Sequence, residues 1–251
     1  MKIEILTIFP KMIETYINES IIKRAIEDNK IEINVINLRD YSKLSTNQVD
    51  DTPYGGGGGM LLMFPPFYDA LKELKKNNTK VIMPSPKGIK YDQKVARRLA
   101  DLEHLIVLCG HYEGIDHRVM EFVDEEISLG DYILTGGELS ALVLVDSITR
   151  LQKGVIKEES HLNESFENDL LEHPHYTKPQ SYEGYDVPEV LTSGHHENIN
   201  KWRRYMSLKE TYLKRPDLLK TVKLSKEDEA NLEKIKLEAN KTWYLKKNML
   251  Y

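Results

Sequence analysis

The sequence predicts an α/β fold built on a mostly parallel sheet, followed by a small helical domain. Three observations lead there. Short β-branched runs alternate with longer helical patterns over the first 150 residues, the rhythm of strands joined by helical crossovers. Two of those runs, Lys80-Val81-Ile82-Met83 and Leu105-Ile106-Val107-Leu108, are almost wholly apolar, as strands are when both faces are covered. Beyond Gly154 the alternation stops, and Trp202, Tyr205, Leu208, Tyr212 and Leu213 recur three and four apart, the spacing of one buried helix face.

In chain order, Ile3-Glu4-Ile5-Leu6-Thr7-Ile8 reads as the first strand and 31–38 as the second, with a helix over 12–27 between them. Further helices are expected at 66–77, 92–101, 114–122 and 138–151, separated by the two apolar runs and a third strand-like run at 123–129. Two loops break the rhythm, one at 40–60 with five consecutive glycines from Gly55 to Gly59, the other at 130–137. The segment 157–169 is polar and acidic without periodicity, which reads as a linker. Helical patterns at 198–214 and 225–242 follow it. The expected organisation is a domain at 1–156, a linker at 157–170 and a helical domain at 171–251.

Composition narrows the function classes. No stretch approaches the roughly 20 apolar residues of a membrane span, and the first residues lack a signal-like apolar run. Cys109 is the only cysteine, so no internal disulfide framework exists and a reducing cytoplasm is expected. A net charge of -5 argues against indiscriminate coating of nucleic acid. Residues 195–225 nevertheless carry eight Lys or Arg against three acids, a local excess of five. Alone, such a cluster is most often a solvated helix surface.

The glycine run matches no phosphate-binding fingerprint. Asp50-Asp51-Thr52-Pro53-Tyr54 before it is not a strand, and no Lys-Ser or Lys-Thr follows. More telling are three loops, each after a short apolar strand: Met83-Pro84-Ser85-Pro86-Lys87-Gly88, Cys109-Gly110-His111-Tyr112-Glu113-Gly114-Ile115-Asp116, and Leu129-Gly130-Asp131-Tyr132-Ile133-Leu134-Thr135-Gly136-Gly137-Glu138. Ligands of open α/β sheets sit beyond the carboxyl ends of strands, where glycines let main-chain groups reach a flat base and a ribose. Any one loop is an ordinary turn; three in this order point to a binding site.

These segments, with Pro53-Tyr54-Gly55-Gly56-Gly57 and Pro174-His175-Tyr176-Thr177-Lys178-Pro179, give the chain its resemblance to the bacterial tRNA (guanine-N1)-methyltransferases, a knotted family of the SPOUT type. The likeness runs from Met1 to about Leu219. It implies an α/β sheet with a deep trefoil knot, one of the rare exceptions to unknotted topology, whose loops bind S-adenosylmethionine. The implied pocket comprises Ser85, Pro86, Gly110, Tyr112, Glu113 and Gly114, then Leu129, Gly130, Asp131, Tyr132, Ile133 and Leu134, with Gly136 and Gly137 beside them. The resemblance also implies a homodimer with shared active sites, and a substrate, guanosine 37 of tRNA. A divalent cation stays open as an additional cofactor, and no metal ligands are assigned.

The chemistry implied needs few groups. N1 of guanine carries a proton and is a poor nucleophile until a carboxylate takes it; charge then develops toward O6, where a fixed cation stabilises it. By the resemblance the cation is Arg150, although a helix-end arginine ordinarily serves the helix dipole. The family's base is an aspartate before a Ser-Phe pair, whereas here Glu164 precedes Ser165-Phe166. Its extra methylene moves the carboxylate by roughly 1 Å, enough to matter in aligned catalysis, and Asp169 is the rival. Asp50, Gly57, Gly58, Gly59 and His175 are candidates for the RNA side. Lys201, Arg203, Arg204, Lys214 and Arg215 are candidates for phosphate contacts, which position RNA without reading its sequence. His195 and His196 make a poor metal pair, and Cys109 reads as a small buried hydrophobe. Two other classes stay open: a catalytically dead RNA-binding relative, motivated by Glu164, and an unrelated nucleotide-binding enzyme, motivated by the glycine run.

Overall fold

The computed structural model describes residues 1–157, 164–166 and 169–248, the side chains of 241–248 excepted; the expected linker at 157–170 therefore lies partly outside the described residues. The chain divides into two compact units, Met1–Lys157 and Glu158–Tyr251.

The first unit is a five-stranded parallel sheet. Its strands are β1 (Lys2–Thr7), β2 (Glu32–Asn37), β5 (Thr79–Lys90), β6 (His104–Leu108) and β7 (Glu125–Ser128), in the order β2-β1-β6-β5-β7. Alternate residues of each strand feed opposite layers. Ile3, Ile5, Ile82, Leu105 and Val107 pack beneath α1 (Pro10–Ile17), α2 (Ser20–Glu27), α4 (Gln93–Ala100) and α5 (Glu138–Thr149). Leu6, Val81, Ile106 and Leu108 pack against α3 (Phe64–Leu74) through Phe67, Ala70 and Leu71. This two-sided burial is why the apolar runs carry no alternation.

Three expectations are corrected. The helix expected over 12–27 is two helices. Asn18 donates its side-chain amide to the Glu14 carbonyl at 2.8 Å, and Ser20 takes a left-handed backbone; short polar side chains compete for the main chain at such breaks. The helix expected at 114–122 is a 3₁₀ turn, His117–Phe122, started by the Asp116 carboxylate accepting from Arg118 N at 3.0 Å. Residues 84–88 are not a turn after a strand but a bulge within β5. Pro84 and Ile89 both align with Ile127, so the residues between them bow out of the ladder.

The 40–60 loop is closed at its base by a two-residue antiparallel pair, β3 (Asp50–Asp51) with β4 (Leu61–Leu62). The second unit centres on α7 (His196–Lys214) and α8 (Lys226–Asn248), preceded by the hairpin β8 (Ser181–Tyr182) and β9 (Tyr185–Asp186) and by the short α6 (Glu189–Thr192). Leu170, Leu208 and Ile235 form its buried centre. Among the described residues no helix is long and apolar enough to cross a membrane.

Candidate functional site

In the first unit, β5, β6 and β7 are neighbours, so the bulge within β5 and the segments leaving the carboxyl ends of β6 and β7 meet. A cavity of about 290 Å³ opens there. Of the residues named from the sequence, it is lined by Ser85, Pro86, Gly110, Tyr112, Glu113, Gly114, Leu129, Gly130, Tyr132, Ile133, Leu134, Gly136 and Gly137. Asp131 is exposed and does not line it. Sequence reasoning missed Pro84, His111, Ile127, Ser128, Thr135 and Ser140, which line it too. His111 and Thr135 stand inside the motifs already singled out. Ser140 lies two residues into α5, where only the helix position could have signalled it.

Main-chain packing holds the segments together. The Gly137 amide donates to the Gly110 carbonyl at 2.8 Å, and His111 bridges Gly136. A Cβ on Gly137 would stand 2.9 Å from Cys109 Cα and 3.0 Å from Gly110 N, both backbone atoms unable to yield. Gly59 of the glycine run, with φ of +82°, holds a left-handed backbone that L side chains rarely adopt, and it lies against the exposed Glu113 side chain. Glu113 N donates to Met60 O, and Leu62 N to Gly114 O, which anchors that run to the cavity wall. Asp50 is half-buried in β3, and Gly57, Gly58 and Gly59 are exposed.

Beneath the cavity, Glu138 is buried in the first turn of α5, where a carboxylate complements the helix dipole. It accepts from the Thr7 hydroxyl at 2.7 Å, and His111 Nδ1 lies 4.0 Å from its other oxygen. Cys109 is buried, and that burial, with the Glu138 carboxylate nearby, pushes its thiol well above the ordinary range. It packs as a small hydrophobe.

Arg150 caps the carboxyl end of α5 in the first unit. Glu164 belongs to the second unit, where it lines a polar cavity of about 340 Å³ with Leu170, Leu171, Glu172, His173, Asn200, Arg203, Arg204 and Ser207. The neighbouring chain is pinned to α7. Ser165 Oγ accepts from Glu172 N at 2.9 Å, Leu171 N donates to Thr211 Oγ1 at 2.9 Å, and Ser207 Oγ donates to Leu171 O at 2.5 Å. Asp169, in the same segment, takes a left-handed backbone and does not line the cavity.

The basic candidates divide sharply. Arg204 makes a two-pronged pair with buried Asp228, both contacts at 2.8 Å. With help from Ser225, the guanidinium holds Asp228 near a pKa of about 2. Arg204 therefore ties α7 to the start of α8 through two of its guanidinium nitrogens. Lys201 pairs with Glu197 at 2.6 Å, Lys214 with Glu210, and Arg215 with Asp217 at 2.6 Å; all three cations are exposed, and such pairs exchange readily with solvent. Arg203 is exposed and forms no ion pair among the described residues. His175 Nε2 lies 2.8 Å from Glu172.

A glycine-lined cavity at the carboxyl ends of a parallel sheet, followed by a helical unit bearing cations, defines an α/β ligand-binding protein with a polar accessory unit. Comparison with known proteins makes this specific. Residues 1–221 match the family described as tRNA (Guanine-1)-methyltransferase TrmD. A tRNA (guanine-N(1)-)-methyltransferase of Mycoplasma mycoides is 52% identical over 239 residues, covering 95% of this chain and all of that protein. The protein of that name from Acholeplasma laidlawii is 51% identical, covering 94% of this chain and 98% of its own. That from Clostridium botulinum is 54% identical, covering 93% and 98%. The chain belongs to the tRNA (guanine-1)-methyltransferase family.

Proposed function

We propose that this chain transfers a methyl group from S-adenosylmethionine to N1 of guanosine 37 in tRNA, acting as a homodimer in the cytoplasm and with its sheet tied in the family's trefoil knot. The observation that carries the reading is the meeting of three motif segments in one cavity, formed by the bulge of β5 and the ends of β6 and β7. The insertion of β6 between β1 and β5 is in keeping with the knot.

The cavity's chemistry suits the cofactor. Glycine main chain offers N–H and C=O groups to an adenine edge, Pro84, Pro86 and Ile127 supply apolar wall, and Glu113 supplies an acid for ribose hydroxyls. When bound, the sulfonium supplies an already activated methyl carbon. The protein's own work is at the acceptor. Glu164 takes the N1 proton of guanine as the N1–methyl bond forms and the carbon–sulfur bond breaks, and Arg150 donates to O6 as charge gathers there. Among the described residues no three His, Cys, Asp or Glu side chains converge as a metal cluster would.

The partner subunit is supported by an apolar face on the cavity's outer lip. Ile133, Tyr132, Leu139 and Val143 are exposed, and the last three line a groove with Tyr16 and Leu142. Large exposed apolar patches mark association surfaces. Light scattering is expected to give a dimer mass, and an active monomer would overturn the shared-site mechanism.

The direct test is methyl incorporation. Labelled methyl from S-adenosylmethionine should enter a tRNA bearing guanosine 37 and not one bearing adenosine there. Cofactor and tRNA binding without incorporation would favour a catalytically dead relative, a reading the Glu164 departure keeps open.

A further inference from the structure

We infer that the second unit carries a stacking site for an unpaired RNA base, formed by Tyr176 and Trp202 beside Arg203; this rests on the tRNA-modifying reading above. Four rings form a continuous strip from the Pro-His-Tyr segment onto α7. His173 and His175 have centroids 4.5 Å apart, His173 and Trp202 6.3 Å, and Trp202 and Tyr176 6.2 Å. None of the four belongs to the hydrophobic centre of the unit, which is built from Leu170, Leu208 and Ile235 with Tyr205 and Tyr212 at its edge. Tyr176 is 47% exposed and Trp202 half-buried. Aromatic surface is thus held outside the core, at the water.

What surrounds the strip selects the ligand. Arg203 follows Trp202 directly, and while its neighbours Lys201 and Arg204 are engaged by Glu197 and Asp228, it forms no ion pair among the described residues. With Asn200 and His173 it lines the polar cavity of about 340 Å³. Burial lowers the His173 pKa, an effect to which His175 and Arg203 add. An aromatic face, hydrogen-bonding side chains in a hollow and one available cation are what an unpaired nucleotide requires: a surface for the base, partners for its edge and a charge for its phosphate. A duplex hides its base faces and would leave the strip unused.

The test uses the full chain carrying Trp243→Phe, so that Trp202 is the single tryptophan emitter. It is titrated with an anticodon stem-loop and with a fully paired duplex of equal length. The stem-loop should quench Trp202 and the duplex should not. Tyr176→Ala should weaken stem-loop binding about tenfold, with its salt dependence and the weaker duplex binding unchanged, and Tyr176→Phe should restore affinity. Equal quenching by both RNAs, or stem-loop affinity unchanged in Tyr176→Ala, overturns the stacking site while the wild-type chain still methylates tRNA. A wild-type chain that binds neither RNA and transfers no methyl group removes the underlying reading as well.

Discussion

The two units build their cavities from opposite materials. In the first, the walls are largely main chain: glycines let Gly110 and Gly137 hydrogen-bond backbone to backbone, and a buried charge nearby, Glu138, serves α5 and Thr7. In the second, the walls are side chains: Glu164, Glu172, His173, Arg203 and Arg204 line a hollow pinned by hydroxyl contacts to α7. A site made of backbone is sensitive to volume and indifferent to charge. A site made of ionic side chains is the reverse, and it answers to pH and salt.

The largest expected effect is in the second unit. Glu164→Gln keeps shape and removes the proposed base, so single-turnover methyl transfer should fall by about 10²–10⁴-fold while affinity for S-adenosylhomocysteine is kept. If Asp169→Asn loses turnover instead and Glu164→Gln does not, Asp169 is the base. In the first unit, Gly137→Ala forces a methyl against Cys109 and Gly110 backbone. It should cost roughly 1–3 kcal/mol in thermal or denaturant unfolding and abolish cofactor-analogue binding, although no charge changes.

Next in size is the Arg204–Asp228 pair. Asp228 titrates near 2 when folded against about 3.9 when unfolded. Its folded pKa is depressed, so its contribution, about 2 kcal/mol, is present above the unfolded value and lost as pH falls through about 4 toward 2. Asp228→Asn should flatten that acid limb in unfolding monitored by circular dichroism. Smallest is the salt response. Arg203→Ala should lower the slope of log affinity for tRNA against log salt by about 1, whereas Arg204→Ala should act chiefly through stability. An equal loss of slope in both would mean that Arg204 leaves Asp228 to meet phosphate.

What the sequence made legible follows the same division. The parallel sheet could be read because continuous apolar runs such as Leu105-Ile106-Val107-Leu108 have one physical explanation, burial on both faces. The cavity could be read because its glycines and their loop positions are local features. The break at Asn18 was hidden, since it depends on one amide competing for the Glu14 carbonyl within an otherwise helical pattern. The bulge at 84–88 was hidden because two prolines and a glycine read as a turn, while only pairing with Ile127 keeps them in β5. Least legible was the state of each cation. Lys201, Arg203 and Arg204 look alike in sequence, and partners within the second unit, 24 residues away for Arg204, decide which is available.

Calorimetric titration of S-adenosylhomocysteine into the wild-type chain, Gly137→Ala and Arg203→Ala tests most directly whether backbone packing makes the proposed cofactor cavity. Saturable binding in the wild type and in Arg203→Ala, with none in Gly137→Ala, is the predicted result. No binding to the wild-type chain, or the same affinity in all three, would contradict it.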